Sequence, residues 1–252
     1  MPSPRPAALA PPGRPLYEEV RAHLTEGIAE GRWKAGDALP TESALAARFG
    51  VAIGTVRKAV DALVAQGALL RRQGKGTYVA AHDDRRLMFH FFHIVGAGGE
   101  KAQPEVRTVR FERGRADAAE AAALGLPRDE RVIRIRNVLS LAGRPVILDD
   151  IAIPAALFPG LTERIFTGRD NTIYHLYQSR YGINVLRTDE HLRAVLAAGD
   201  IAQLLQVAPG APLLEIRRVA LTFRDRPVEY RLSRVNTAAH AYHNTFGKGE
   251  AA

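Results

Sequence analysis

Between Thr41 and Val79 the chain carries a pattern that few folds accommodate. A short amphipathic segment, a glycine break, a longer amphipathic segment and a basic, glycine-containing pair of β-prone runs follow one another without a gap. Thr41 is a good N-cap for a short helix whose buried side would carry Leu45 and Phe49. Gly50 breaks that helix. The next runs from about Ala52 to Gln66, with Gly67 as its C-terminal stop. At 100° per residue, Val56, Val60 and Leu63 fall on one stripe of it. Gly54, Lys58 and Asp61 project to the opposite side, with Arg57 on the flank. A short helix, a tight turn and a second helix with a basic N-terminal half is the helix-turn-helix arrangement. At Gly54 the missing side chain would let the backbone approach base edges closely.

The flanking segments fit the same unit. Leu16, Val20, Leu24 and Ile28 recur every four residues, one apolar stripe on a helix of about four turns. Pro15 suits its start, and a turn from Gly31 to Gly36 carries the only tryptophan, Trp33. After the second amphipathic helix, the run from Leu69 to Val79 reads as a hairpin around Gly74-Lys75-Gly76, decorated by Arg71, Arg72 and Lys75. Such a hairpin is the wing of a winged helix, placed to touch phosphates or enter the minor groove. Residues 14–80 hold ten Lys/Arg against seven Asp/Glu, yet 56–76 hold five against Asp61 alone. The positive charge is therefore clustered on the second helix and the wing, as phosphate binding requires.

Composition narrows the rest. The net charge of +8 favours a polyanionic partner. The absence of cysteine removes disulfide scaffolds, thiolate zinc sites and thiol nucleophiles. No run approaches 18 apolar residues, so no membrane span is expected. Residues 1–13 are Pro/Ala-rich without a signal-peptide pattern and read as a disordered tail. The expected address is the cytoplasm.

From about Leu87 the character changes. Strands are expected over Phe89–Val95, Val106–Phe111, Arg131–Leu141, Val146–Ile153, Asn184–Leu196, Pro212–Phe223 and Val228–Val235. Helices are expected over Asp117–Leu124, Asn171–Arg180 and Asp200–Leu205. Turns at Gly143-Arg144-Pro145 and Arg224-Asp225-Arg226 make consecutive hairpins. The implied class is α+β: a winged helix-turn-helix over 14–80, a linker over 81–86, and an antiparallel sheet with flanking helices over 87–247.

The residues of the first half resemble the GntR family of bacterial regulators. The carriers are Pro15-Leu16-Tyr17, the run Gly36 to Glu42, Phe49-Gly50-Val51, the run Thr55 to Ala59, and the run Gly74 to Val79. The resemblance implies double-stranded operator DNA as partner. With the reading of the helices and wing, it makes Thr41, Ser43, Gly54, Thr55, Arg57, Lys58, Arg71, Arg72, Lys75 and Gly76 the DNA-contact candidates. The chain departs from the family in having Ala52-Ile53 where many members have Ser-Arg, and Ser43 where an arginine is frequent.

The second half resembles the UTRA effector domain of the HutC branch, of chorismate-lyase-like fold. The carriers are Val132 to Arg136, Gly143 to Asp149, Ile153-Pro154, Asn171 to Tyr174, Arg226 to Glu229 and Ser233-Arg234. The resemblance implies a small polar or anionic metabolite as effector, homodimerisation, repression as the commoner mode, no cofactor and no enzymatic activity. It makes His90, Arg134, Arg136, Asp149, Thr172, Tyr174 and Glu229 the effector candidates. Thr172 stands where Ser is common, Asp149 where Glu is common, and Val235 where several relatives have Tyr.

Spacing adds its own constraint. Arg134 and Arg136 are two apart on a strand and share a face. Two inward guanidinium groups require an anion such as an effector; the alternatives are that both face solvent or pair with Asp149 and Glu229. His90 and His93 face opposite sides of a strand and cannot share an ion. His240 and His243 would share one only on a helical turn, and a third ligand is not apparent. Structural or surface roles are expected for all four, with His90 kept as an effector candidate by its place on a strand that lines the pocket in the family. Two other classes compete with a ligand-controlled regulator. An enzyme would need a nucleophile triad, metal cluster or phosphate loop, none of which the sequence displays. An architectural DNA binder would leave a large second domain with paired arginines unexplained.

Overall fold

The computed structural model describes residues 15–81 and 91–244. The expected tail, the linker from residue 82 and His90 lie outside the described residues. In chain order the elements are α1 (Leu16–Ala29), α2 (Glu42–Phe49), α3 (Ile53–Ala65), β1 (Leu69–Arg72), β2 (Gly76–Val79), β3 (Ile94–Gly96), β4 (Glu105–Arg115), α4 (Ala118–Leu124), β5 (Arg131–Leu141), β6 (Arg144–Pro154), α5 (Glu163–Thr167), α6 (Ile173–Tyr181), β7 (Arg187–Leu196), α7 (Gly199–Leu204), β8 (Pro212–Leu221), β9 (Pro227–Val235) and β10 (His240–Tyr242). They fall into two compact units. The first holds the described residues up to 81 together with 171–187 and 222–225; the second holds the remainder.

In the first unit the expected stripes meet. Val20, Leu24 and Ile28 of α1, Leu45 and Phe49 of α2, and Val56, Val60 and Leu63 of α3 form one core, closed by Leu69 and Val79 of the hairpin. Thr41 caps α2, its hydroxyl accepting from the Ala44 amide at 3.2 Å. Gly50 ends that helix at φ 66°, a left-handed conformation costly for a side chain. The hairpin pairs Arg72 with Gly76 and Leu69 with Val79, and the segment 37–39 adds to its β2 edge through Leu39 N to Thr77 O and Val79 N to Asp37 O.

Gly27 is buried on α1 beneath the indole of Trp33. A Cβ there would lie 2.3 Å from the Trp33 ring. Alanine raises helix propensity by about 1 kcal/mol, but overpacking costs about 1–3 kcal/mol. We therefore expect Gly27→Ala to lower the stability of this unit by about 1 kcal/mol, measured by denaturant unfolding, despite the better helix former.

The second unit is built on a six-stranded sheet in the order β4-β5-β6-β9-β8-β7, with β3 and β10 paired separately. The β4–β5, β5–β6, β6–β9 and β8–β9 pairs are antiparallel. Of the expected strand over 89–95, the described residues from 91 onward form a strand at Ile94–Gly96, where β10 pairs with them. One face of the sheet packs against α4 and α7. Val132, Ala152 and Tyr230 lie under α4, and Val138, Leu148 and Leu213 lie under α7. The opposite face carries Leu139, Ile147, Ile216 and Val235 against Ile94, Phe92 and Tyr242. Asp117 and Glu120 form a reciprocal capping box at the start of α4.

Candidate functional site

The exposed side of α3 and the wing share the first unit. Gly54 is exposed, and a Cβ built on it would meet nothing, so that edge of α3 is open to an approaching surface. Arg57 and Lys58 are exposed one turn further on, and Arg71, Arg72 and Lys75 are exposed on the wing. Their geometry is set from within the unit. The Lys58 ammonium sits over the Tyr17 ring at 4.0 Å, and the Arg72 guanidinium over Tyr78 at 4.7 Å. Arg57 Nε donates to Glu42 Oε2 at 2.8 Å, and Arg71 Nη2 to Glu42 Oε1 at 2.9 Å and to Asp61 Oδ1 at 2.8 Å. The Thr41 hydroxyl is engaged in its cap and lies 3.0 Å from Ser43 Oγ. Thr55 is half-buried in the first turn of α3, and Gly76 holds φ 105° at the wing turn. Glu42, which joins α3 to the wing, was not among the sequence candidates, since nothing in its spacing links it to Arg71.

The effector candidates divide. Arg134 and Arg136 face the helices: Arg134 pairs in register with Ala152 and Arg136 with Asp150. Arg134 donates Nε and Nη2 to Glu120, both at 2.7 Å. Arg136 grips Asp150 at 2.6 Å and Asp200 of α7 at 2.5 Å. These hydrogen bonds, to Glu120 and to Asp150 first, raise both guanidinium pKa values, against a smaller opposing effect of desolvation. The anion the paired arginines require is thus supplied by carboxylates. They are Glu120, Asp150 and Asp200, not Asp149 and Glu229.

Asp149 and Glu229 lie on the other face. There the register aligns Asn137 with Asp149 and Asp149 with Ser233. Asn137, Asp149 and Glu229 are all buried. Arg231 bridges the two carboxylates, at 3.1 Å from Asp149 and 2.8 Å from Glu229. Ser233 Oγ donates to the other Asp149 oxygen at 2.5 Å. Asn137 Oδ1 accepts from Thr108 at 2.8 Å, while its buried Nδ2 has no hydrogen-bond partner among the described residues. Arg218 donates to Glu190 at 2.5 Å and to Phe91 O at 2.6 Å, and Tyr242 donates to the second Glu190 oxygen at 2.5 Å. Burial, and then the bond to Glu190, raises the Tyr242 pKa well above the ordinary phenol value. Asp149, Ser233, Arg231, Arg218, His93 and Tyr242 line a small cleft on this face. Buried charges of this density are costly unless paired, so the face is a polar site set in an apolar sheet.

Thr172 and Tyr174 belong to the first unit. The Thr172 hydroxyl caps α6, accepting from the His175 amide at 3.1 Å. Tyr174 is buried beside Tyr177, ring centroids 5.8 Å apart. In the same unit Gln178 Nε2 donates to Ala80 O at 2.8 Å and to Asn184 Oδ1. Leu186 and Phe223 pack on the winged-helix core. The His93 ring lies tilted by 50° beside Tyr242, centroids 5.1 Å apart. His240 opens a strand, not a helical turn, so the geometry a shared ion with His243 would need is not formed.

Helix-turn-helix and basic wing define a winged-helix reader, joined to a sheet domain with a buried polar face. The profile of bacterial regulatory proteins of the gntR family matches residues 16–79, and that of the UTRA domain matches residues 99–241. Among curated proteins, the chain is 32% identical to a probable fructoselysine utilization operon transcriptional repressor of Escherichia coli (strain K12), over 84% of this chain and 87% of that protein. It is 31% identical to the mannosyl-D-glycerate transport/metabolism system repressor of the same strain, over 89% and 92%, and 33% identical to the histidine utilization repressor of Pseudomonas putida, over 81% of each. Among solved structures, the ligand-binding domain of a GntR-family regulator from Bordetella bronchiseptica superposes at a TM-score of 0.59 and 37% identity. That match covers 62% of this chain and 96% of the other. The chain belongs to the GntR family, in its HutC-like branch with a UTRA domain. It is a transcription regulator with a helix-turn-helix DNA-binding domain. Among the described residues no helix is long and apolar enough to cross a membrane.

Proposed function

We propose that this chain is a cytoplasmic, ligand-released repressor. A homodimer places two winged helices on a two-fold operator and leaves it when a small polar or anionic metabolite binds the UTRA domain. One observation carries the DNA half of this reading: Arg57 and Lys58 on the open side of α3 share one compact unit with Arg71, Arg72 and Lys75 of the wing. That is the charge arrangement for phosphate contacts around a helix in the major groove. The relatives named as repressors support the sign of regulation. Selection of bound sequences from a random duplex pool tests it. Two inverted half-sites, about 10–10.5 bp apart or a multiple of that, are expected; recovery of unselected sequence overturns the reading.

The metabolite site proposed here is the face that carries Asp149 and Glu229. Arg231, Arg218, Ser233 and Asn137 join them, and the Asn137 Nδ2 is offered to an effector acceptor. Arg134 and Arg136 are left to structural pairing. The reading calls for no cofactor and no catalytic group.

An effector acts only through a difference in affinity between two states. The hydrogen bond from Gln178 to Ala80 O ties α6 to the end of the wing strand, next to the linker. Gln178→Leu leaves two buried acceptors unpaired and is expected to destabilise by about 1–2 kcal/mol. In a mobility-shift titration the same variant is expected to release DNA less sharply as metabolite is added. An unchanged release curve would remove α6 from the transmission path.

A further inference from the structure

We propose that Glu42 is a specificity-determining positioning residue for DNA reading. It holds Arg57 of α3 and Arg71 of the wing as one preset pair of guanidinium groups and cancels their attraction for arbitrary phosphates. The inference rests on the DNA-binding reading above and adds a residue that contacts neither base nor phosphate in it.

The geometry is that of a bridge. Glu42 opens α2 directly after the Thr41 cap, so the helix start fixes its backbone. One carboxylate oxygen takes Arg57 Nε at 2.8 Å, and the other takes Arg71 Nη2 at 2.9 Å. Asp61, one turn along α3 from Arg57, takes Arg71 from the other side at 2.8 Å. Two arginines and two carboxylates thus form a neutral cluster on a surface that is otherwise basic. The Glu42 side chain is the least exposed of the four, at 24% against 44–60%.

Stability does not account for this arrangement, because exposed ion pairs of this kind contribute little. Orientation does. With its Nε engaged, Arg57 keeps both Nη groups to donate, and two parallel donors at fixed spacing are what guanine O6 and N7 accept. A guanidinium held in advance loses less freedom on binding than a mobile one. The same bridge lowers the net charge presented to a phosphate backbone that carries no sequence information.

Glu42→Gln tests this in the full-length protein. The amide keeps the shape and removes the charge. Binding is followed by fluorescence anisotropy on the selected operator and on a scrambled duplex, across a range of salt. The scrambled duplex should bind roughly tenfold tighter at ~0.1 M salt, and the slope of log K against log salt should steepen by about 0.9, the value for one added charge. Operator affinity should rise less, so the ratio of operator to scrambled binding falls. Arg57→Lys keeps the charge and loses the fork; it should lose operator preference without gaining on scrambled DNA. Thermal unfolding confirms that each variant is folded, and Glu42→Ala, which also removes the charge, replaces Glu42→Gln if that variant does not fold. If Glu42→Gln leaves the salt slope and the operator ratio at their wild-type values, Glu42 is only a surface ion-pair partner and the proposal fails. Wild-type protein with no preference for operator over scrambled DNA would instead overturn the DNA-binding reading itself.

Discussion

Arg231→Met is expected to destabilise the sheet unit by about 3–5 kcal/mol, the largest effect of any single substitution considered for this protein. Arg231 bridges Asp149 and Glu229, whose side chains are 3% and 0% exposed. Methionine fills a similar volume but leaves two carboxylates with no cation between them. A buried ion pair adds little net stability when intact, yet removing one partner strands the other in a medium that solvates it poorly. Urea unfolding at neutral pH, followed by circular dichroism, measures the loss. The linear term of the transition should hold while its midpoint falls. A loss below about 1 kcal/mol would show that the polar face is solvated, and the case for an enclosed effector site there would go with it.

Arg57→Ala is expected to weaken operator binding by about 1–3 kcal/mol, or roughly 5- to 150-fold, with a flattened preference at one base pair of each half-site. Lys75→Ala on the wing provides the contrast. A lysine that meets only phosphate should reduce binding to every sequence alike and lower the salt slope by about one. Anisotropy titrations of both variants on operator and scrambled duplex separate the two outcomes. Uniform weakening by Arg57→Ala would make Arg57 a phosphate contact and move base reading elsewhere on α3.

Where interactions are local, the sequence foreshadows the structure closely. The stripes Val20-Leu24-Ile28 and Val56-Val60-Leu63 depend only on helical period, and the Thr41 cap and Gly50 break depend on a few neighbouring residues. They stand as read except at Leu16, the first member of the α1 stripe, which is 51% exposed and lies outside the core. The second half was legible in its elements but not in its partnerships. Period two correctly puts Arg134 and Arg136 on one face, but it does not say which face. Their carboxylates come from a helix start at Glu120, a neighbouring strand at Asp150 and a distant helix at Asp200. Only register and packing bring these together. The opposite face did leave a signal. Glu229, Arg231 and Ser233 place polar groups at every second position of a strand whose alternate residues include Tyr230 and Leu232. That alternation marks a polar stripe pointing away from the helices. Thr172 was assigned by motif alone, while its position immediately before a helix already suited a cap, the use the structure makes of its hydroxyl. The grouping of 171–187 and 222–225 with the winged helix rests on long-range packing by Leu186 and Phe223 and leaves no local trace.

The most direct test of the account is the binding of the full-length protein to the DNA upstream of its own gene, titrated with small polar and anionic metabolites. The expected result is a specific complex of dimer with duplex that one metabolite dissociates, and a loss of that response in Asp149→Asn with DNA binding retained. A protein that is dimeric and folded yet shows no preference for that DNA over random duplex at low salt, or a specific complex that Asp149→Asn releases as wild type does, would contradict it.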